Sequence, residues 1–458
     1  NIGTPGENDH IVEGIVDDLN TMLTNVDGLR VIGSASAKTY RDSDKTPAEI
    51  GHELNAGTLL QGSIQKTGSD LKINVRLIDT TTSENIWANS FSGSENDRSK
   101  FQQEIIQSIV NKTKGTILNQ SELSSLTQGD TESAEAYNLV KEGVDLLKGH
   151  SREGTQRAID LMLQAIELDP NYSNAYMGLA RAYQLSSSLS LHEPTTAFNL
   201  AKKYGQKALE INPNLPGFEI IKITFSQDGQ RNPKEMMNRL DSLLKKYPNN
   251  SDLLREAGDI YSFSGRNKKA IETLHQGLKL DPKNAWFHQN LAYTYLITGD
   301  KKLAEHHNSE ALKLKPYFQF ALHIRSLILS RDNRFDEIES ELLKAIQNDA
   351  QNPVTTMSLG IVYWRSGQKE KSYKLLAELL DRRNFEYIKS GILARFYIAI
   401  GEKEKSLKWL QQSSKESDTD FVDLFHWPLF DEVRSDPEFI QIYKDAGIFE
   451  HFTTEDSR

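Results

Sequence analysis

Apolar residues recur at helical spacing over most of the chain, and short turn-forming stretches separate the helices that this spacing predicts. Within each predicted pair of helices, large and small apolar residues follow a fixed order. One pair carries Leu291, Ala292 and Tyr295 on its first helix, then Ala304 and Ala311 on its second. Small residues allow two helices to approach closely, while large ones fill the gaps between turns. From residue 134 to residue 417 the pattern predicts an all-α array of about eight helical hairpins.

The turns of this array are evenly spaced along the chain. Predicted turns fall at Gly265, Gly299, Asn333, Gly367 and Gly401, and predicted helix ends fall at Pro248, Pro282 and Pro316. Gly and Asn tolerate the left-handed conformation that ends a helix, and Pro cannot continue one. A period of about 34 residues is typical of the tetratricopeptide repeat, a helix–turn–helix unit that stacks into a solenoid. Because such repeats bind molecules and rarely transform them, the period favours binding over catalysis.

We predict eight repeats, at 134–170, 173–213, 215–248, 251–282, 285–316, 319–350, 353–384 and 387–417. The third is degenerate, because Phe218-Glu219-Ile220-Ile221 lacks the usual small residue, and weaker packing is expected there. Residues 418–458 follow the array and contain Trp427-Pro428-Leu429-Phe430. Since a solenoid must cover its exposed last face, we predict that they form a carboxy-terminal capping segment.

The first 118 residues follow a different pattern, in which short strands replace paired helices. Helices are predicted around Ile11, Ile15, Leu19 and Leu23, at 47–54 and at 100–118; strands are predicted at 29–33, 58–66, 70–79 and 86–91. Alternation of apolar and polar residues in the third strand indicates that one of its faces is buried. We therefore predict an α/β sandwich amino-terminal domain at 1–118. Residues 119–133, rich in Ser, Thr, Gln and Gly, are predicted to be a linker.

Several short motifs of this first domain occur in an order that resembles the TolB-like amino-terminal module. They are Glu49-Ile50-Gly51-His52-Glu53-Leu54, Leu60-Gln61-Gly62-Ser63-Ile64, Val75-Arg76-Leu77-Ile78-Asp79 and Ile86-Trp87. The resemblance implies a module that precedes repeats in bacterial signalling proteins, behind winged-helix domains of membrane-bound regulators or behind class III adenylate cyclase domains. The closing segment of the chain resembles that of the same proteins. The opening strand of the module should precede residues 7–14, and almost none of it is present.

Composition narrows the classes of function that the chain could have. The 458 residues carry a formal net charge of −10 without a basic stripe, which argues against nucleic-acid binding. There is no cysteine, which excludes disulfides and thiolate chemistry. No run of 18 apolar residues is present. Because the chain opens on Asn1-Ile2-Gly3-Thr4 rather than on Met and an apolar stretch, we expect a fragment of a longer protein.

No catalytic or cofactor motif stands out in the sequence. A phosphate-binding loop ending in Gly-Lys-Ser/Thr and a spaced glycine fingerprint after a strand are both absent. His306 and His307 are adjacent, so on a helix their side chains diverge by about 100° and do not face one metal ion easily. We therefore expect a protein that is not an enzyme, with no cofactor and no metal site.

Repeat geometry points to the concave groove as the binding site, because fixed positions of each first helix face inward. In the middle repeats the predicted groove residues are Trp286, Gln289, Asn290, Tyr293, Phe320, His323, Met357 and Trp364. Aromatic rings supply contact area and amides reach backbone groups, which suits a protein or peptide partner. Packing between repeats is the competing explanation for the same residues. The two-carboxylate clamp of chaperone-binding repeats is matched only at Asn290.

The sequence leaves three functions open. The first is a non-catalytic sensory or scaffold region of a bacterial signalling regulator, on the periplasmic side of the inner membrane or in the cytoplasm. The second is the regulatory portion of a class III adenylate cyclase whose catalytic domain is absent, and the third is a free-standing assembly factor. A membrane would be reached only through a missing upstream segment, and the chain could form a homodimer. All three require an inner wall that the chain itself leaves open.

Overall fold

The computed structural model describes residues 9–449, except 25, 27, 42, 69, 116, 120–121, 124–125, 127–129, 214–232, 417 and 419. The residues before the repeats form helices α1 (Asp9–Thr24), α2 (Ser34–Lys38), α3 (Pro47–Leu54) and α4 (Arg98–Lys114), and strands β1 (Thr58–Thr67), β2 (Asp70–Asp79) and β3 (Asn85–Ser94). We call residues 9–114 the N-terminal unit. Its helix α3 has the predicted bounds, and Thr46 caps it with a capping box that pairs with Glu49.

The three strands form one antiparallel sheet in the order β1-β2-β3. Thr58 pairs with Asp79 across the first ladder, and Asp70 pairs with Ser94 across the second. Leu71, Ile73 and Val75 of β2 are buried in a core shared with α1 and α4. Polar residues alternate with them, as a strand with one buried face requires. The molecule is thus mostly helical, with a small three-stranded sheet near its amino terminus.

Two sequence predictions for this unit were wrong. Residues 29–33 are all described and form no strand; Asn20 Nδ2 donates to the carbonyl of Ile32 at 2.7 Å, and the Gly33 amide donates to the carbonyl of Leu280 at 2.7 Å. This segment is extended because a helix and a distant turn hold it, so its apolar pattern imitates a strand. The last helix ends at Lys114 rather than at residue 118, because Gly115 adopts a left-handed conformation with φ of 66°.

Fifteen helices of the described chain continue the molecule, fourteen of them as seven consecutive pairs, while α9 has its predicted partner outside the described residues. They are α5 (Ala134–Gly149), α6 (Arg152–Leu168), α7 (Ser173–Ser188), α8 (Pro194–Ile211), α9 (Pro233–Lys246), α10 (Ser251–Phe263), α11 (Asn267–Leu280), α12 (Ala285–Ile297), α13 (Lys301–Leu314), α14 (Gln319–Arg331), α15 (Phe335–Asn348), α16 (Pro353–Arg365), α17 (Lys369–Arg382), α18 (Ser390–Ala399) and α19 (Lys403–Lys415). The predicted first helix of the degenerate third repeat, with Phe218–Ile221, lies outside the described residues.

The turns between paired helices confirm the role predicted for the periodic Gly and Asn residues. Their φ angles are 74° at Gly265, 85° at Gly299, 57° at Asn333, 85° at Gly367 and 83° at Gly401. A β-carbon built on Gly299, Gly367 or Gly401 would meet no heavy atom within 4 Å. These positions are therefore selected by backbone conformation and not by crowding.

The chain closes with α20 (Phe421–Leu424), a 3₁₀ helix at Pro428–Val433 and α21 (Pro437–Asp445). We call residues 418–449 the C-terminal cap. Its rings pack on α18 and α19, with Phe430, Phe439 and Tyr443 fully buried. In the described part of the chain, no helix is both long enough and apolar enough to cross a membrane.

A continuous apolar core joins the N-terminal unit to the first repeat. Ile106 and Val110 of α4 share this core with Tyr137 and Val140 of α5, and all four are buried. The short stretch between the two parts therefore does not separate their cores. The division into a domain at 1–118, a linker, an array and a capping segment stays a prediction.

Candidate partner-binding surface

The predicted groove residues lie on the first helix of each repeat, at positions that recur once per repeat. We call the side of α10, α12, α14, α16 and α18 that carries these positions the inner face. The structure brings Trp286 and Phe320 together there, since their ring centroids are 5.9 Å apart. Phe318 lies at 4.6 Å from Trp286 and completes the cluster. Trp286 and Phe320 are half-buried, so part of each ring remains accessible.

A residue of the first repeat contacts this aromatic cluster. His150, in the turn between α5 and α6, lies with its ring centroid 4.6 Å from that of Trp286. Lys315 Nζ donates to the carbonyl of Lys148 at 3.1 Å and fixes the same turn. Burial lowers the pKa of His150 to about 3, and the Lys315 ammonium contributes to the lowering, so the imidazole is neutral at physiological pH. The turn thus forms one wall beside Trp286.

Most of the other predicted groove residues are not accessible, which corrects the expectation of an open lining. Gln289, Asn290, Tyr293, His323 and Met357 are buried, the last with 0% exposure. Met357 packs in the apolar core between α16 and α18, so packing between repeats explains its position. The others lie in the interior of the molecule for a reason that the sequence does not show locally.

For Tyr293 and His323 that reason is the C-terminal cap, which covers their part of the inner face. The indole of Trp427 stacks on Tyr293 with centroids 5.0 Å apart and planes at 18°, and on His323 at 5.2 Å and 7°. The Tyr293 hydroxyl donates to Asp423 Oδ1. A hydrogen bond of 2.8 Å also joins Nδ1 of His323 to Ser358 Oγ of the next repeat. The sequence predicted that this segment covers the last repeat. In the structure it also lies on part of the inner face.

Charged residues of the cap meet cations of the eighth repeat. Asp420 accepts from Lys389 Nζ at 2.6 Å and from Arg395 at 2.5 Å. Arg395 also lies 5.7 Å from the Trp427 ring, within reach of a cation–π interaction. Despite burial, which raises it, the two cations lower the pKa of Asp420 overall. The carboxylate is therefore charged in its buried site.

Trp364 was predicted to line the groove, but its ring packs elsewhere. It meets Tyr373 of α17 edge to face at 5.6 Å, and Lys369 Nζ lies 4.7 Å from the centroid. Tyr373 belongs to the second helix of the same repeat and is exposed. Because the Trp364 ring is directed toward its own hairpin, it does not join the cluster around Trp286.

The sequence prediction omitted a charged set on the fourth repeat. Arg255, Glu256 and Asp259 occupy α10 at the positions that Gln289, Asn290 and Tyr293 hold one repeat later, so the period itself could have found them. Arg255 pairs with Glu256 and lies 3.9 Å from Asp259, and its guanidinium lies 5.5 Å from the Trp286 ring. These three side chains are 20–22% exposed. Burial raises the pKa of Asp259 to about 8, although Arg255 opposes the shift.

The accessible part of the inner face is therefore a small aromatic and charged surface beside Trp286. A half-buried indole next to a guanidinium and two carboxyl groups can stack on apolar groups and pair with charges of a protein segment. Within the described residues, no three His, Asp or Glu side chains come together in an arrangement that could hold a metal ion. The geometry of this surface fits recognition of a protein segment.

The profile described as TPR repeat matches residues 258–299, which run from α10 to the turn after α12. Together with the regular period and the paired helices, this match shows that the chain contains tetratricopeptide repeats. The fold is that of a mostly helical repeat protein. No enzymatic family is indicated.

Among curated proteins, the chain is similar to the Putative adenylate cyclase 3 of Rhizobium meliloti, with 24% identity over 218 residues. That match covers 47% of this chain and 37% of the relative, so the chain spans little more than a third of that protein's length. It is also similar to the Transcriptional regulator HilA of Salmonella typhimurium, with 21% identity over 389 residues. This second match covers 83% of the chain and 68% of HilA.

The chain is also similar to two solved structures over part of its length. PilF of Pseudomonas aeruginosa aligns with 47% of this chain and 93% of its own, at 18% identity and a TM-score of 0.36. A thermophilic tetratricopeptide repeat protein of Thermus thermophilus aligns with 43% of this chain and 97% of its own, at 20% identity and a TM-score of 0.34.

Proposed function

We propose that this chain is the non-catalytic, protein-binding part of a bacterial signalling regulator, and that its binding surface is the inner face around Trp286. The N-terminal unit would be a TolB-like module, and the whole would lie on the periplasmic side of the inner membrane. The observation that carries the proposal is the half-buried Trp286 beside Arg255, Glu256 and Asp259. These side chains are inner residues of the array that the C-terminal cap leaves partly accessible.

Composition of this surface favours a protein segment over a small molecule or a nucleic acid. One indole, one phenyl ring, one guanidinium and two carboxyl groups offer both stacking and charge pairing, as binding hot spots do. The chain carries a net charge of −10, which disfavours a phosphate backbone as partner. Similarity to HilA over 83% of the chain supports a role in regulation.

A displayed library of random peptides, selected on the purified chain, tests this surface directly. We expect Trp286→Ala to weaken the selected peptides at least tenfold in fluorescence anisotropy, because a central aromatic contact would be lost. Trp364→Ala is the matched control, since this second half-buried Trp packs on its own hairpin, and it should change affinity less than threefold. Circular dichroism checks that both variants stay helical. Equal affinity for both variants would place the binding surface elsewhere.

A second candidate is the regulatory portion of an adenylate cyclase, which the similarity to the Rhizobium meliloti protein favours. In that case the chain would act on a catalytic domain that lies outside it. Both candidates predict that the purified chain does not convert ATP to cyclic AMP. Measurable turnover that persists after further purification would overturn the non-catalytic assignment.

A third candidate, a free-standing assembly factor, shares the binding surface and differs only in what accompanies the chain. The complete coding sequence of the gene separates the three candidates. A winged helix with a membrane span favours the regulator, and a cyclase core favours the second candidate.

A further inference from the structure

The C-terminal cap meets the inner face in the way that a bound peptide would. Its Trp427 ring rests on Tyr293 of the fifth repeat and on His323 of the sixth, both at stacking distance. Its Asp420 lies between Lys389 and Arg395 of the eighth repeat. One short segment thus contacts three repeats through two anchors, an aromatic ring and a carboxylate.

Both anchors fall on positions at which tetratricopeptide first helices face inward. Tyr293 and His323 were predicted to bind a partner from the repeat pattern, and Arg395 occupies the position that Tyr293 holds three repeats earlier. Two cations facing one carboxylate give charge complementarity that simple coverage of an apolar end does not need. The inner face is therefore complementary to a segment that carries an acidic and an aromatic side chain.

The contact also leaves polar groups poorly satisfied. Trp427 is 4% exposed, and its Nε1–H has no acceptor among the described residues. His323 is 2% exposed, and its Nε2 likewise has no described partner. Burial raises the pKa of Asp423 to about 7, although the hydroxyl of Tyr293 opposes the shift. Buried polar groups without partners favour exchange with a ligand that satisfies them.

We propose that residues 418–433 are an internal ligand, which occupies the inner face of repeats five, six and eight and is displaced by a partner segment of the same chemistry. That segment carries a carboxylate followed, about seven residues later, by a large aromatic side chain, as Asp420 and Trp427 are placed in this chain. The inference rests on the proposed function, because it describes which partner the inner face accepts. It adds that the free protein holds this face closed.

A labelled peptide of residues 418–434 tests whether the inner face accepts this segment from outside. The full-length chain with Trp427→Ala and Asp420→Asn should bind the peptide at least tenfold more tightly than the unaltered chain, because its own segment competes less. Binding to that variant should fall at least tenfold when Arg395→Met is added, and also when the peptide carries the same two substitutions. Circular dichroism and size-exclusion chromatography verify that each variant is folded and monodisperse.

Hydrogen exchange on the unaltered chain gives a readout that does not depend on any variant. The amides of residues 421–433 should exchange at least tenfold faster than those of α14 and α16, since the segment opens while the array stays folded. Equal protection, together with no peptide binding to any variant, would overturn the internal-ligand proposal. If library peptides still lost affinity with Trp286→Ala, the proposed function would stand while this inference failed.

Discussion

The two ends of the repeat array are closed by different kinds of contact. At the amino-terminal end, the junction with the N-terminal unit combines a mixed aliphatic and aromatic core with partly buried ion pairs, of which Asp18 with Lys141 is one. At the carboxy-terminal end, the cap packs rings such as Phe430, Phe439 and Tyr443 against one another, and its Asp420 pairs with two cations of the eighth repeat. Both junctions therefore combine apolar burial with ion pairs, and the cap differs in its dense cluster of rings.

A second contact of the N-terminal unit shows the same reliance on polar groups. Asp281, in the turn between α11 and α12, accepts from the backbone amide of Ser36 at 2.8 Å and from its hydroxyl at 2.5 Å. The Gly33 amide reaches the neighbouring Leu280 carbonyl. We call this contact the latch. Because a few hydrogen bonds make the latch while many rings make the cap, single substitutions should have different effects at these two contacts.

The largest expected effect is at the centre of the cap. Phe430→Ala removes a ring that is 0% exposed, and it should lower the free energy of unfolding by about 3–5 kcal/mol. Urea unfolding followed by circular dichroism measures the change. Phe385→Ala is the control, because that ring is 86% exposed and should change stability by no more than about 0.5 kcal/mol. A loss below about 1 kcal/mol for Phe430→Ala would contradict the view that buried rings hold the cap on the array.

The cap also marks the limit of what the sequence alone predicts. Turn residues such as Gly299 and Asn333 repeat a local conformation, so their spacing predicted correctly the five turns from Gly265 to Gly401. The stacking of Trp427 on His323 and the pairing of Asp281 with Ser36 join residues far apart in the chain, and no local pattern encodes them. The inward positions of the repeats were predictable, as the place of Tyr293 shows. That the chain itself covers them was not.

Adding a single methyl group at Gly33 should disrupt the latch. A β-carbon on Gly33 would lie 2.3 Å from Cγ of Asp281, closer than atoms can pack. Gly33→Ala should therefore lower stability by about 1–3 kcal/mol, because the latch must shift. Gly57→Ala is the matched control, since a β-carbon there meets nothing within 4 Å. If the two variants unfold at the same temperature, the latch does not contribute to the stability of the fold.

The carboxyl groups at the two ends should respond to pH with opposite sign. Burial raises the pKa of Asp423 in the cap to about 7, so the folded state prefers the protonated form. The stability that this protonation contributes is full below pH 4 and is lost as pH rises toward 7. Asp423→Asn keeps a neutral group, so it should match the unaltered chain near pH 4 and exceed it by a few kcal/mol at pH 8.

Asp17, at the amino-terminal junction, gives the opposite case. Burial raises its pKa, but Lys148 and Lys38 outweigh that effect and lower the pKa overall. Its contribution is therefore present above pH 4 and lost as pH falls through the folded pKa. Asp17→Asn should cost less than about 1 kcal/mol at pH 7, because the pairs are partly exposed, and nothing at pH 2. Urea midpoints across pH that move in the same direction for both variants would contradict the distinction between the two ends.

The smallest effect is expected in the interior of the array, at the turn that departs from glycine. Asn333 adopts a φ of 57° where the neighbouring repeats place Gly at 74–85°. Asn333→Gly relieves this conformation but adds freedom to the unfolded chain, so stability should change by no more than about 0.5 kcal/mol. Ala at this position must adopt the same left-handed conformation, which it tolerates less well than Asn does. Asn333→Ala should therefore lower the free energy of unfolding by about 1 kcal/mol.

Because this turn touches neither the latch nor the cap, both changes should be independent of pH between 4 and 8. Differential scanning calorimetry at the two pH values measures them, and the double variant Asn333→Ala with Asp423→Asn should show additive effects within about 0.5 kcal/mol. A clear departure from additivity would mean that the turn at Asn333 and the carboxyl group of Asp423 interact energetically. In that case the effects of the cap variants would not report local contacts alone.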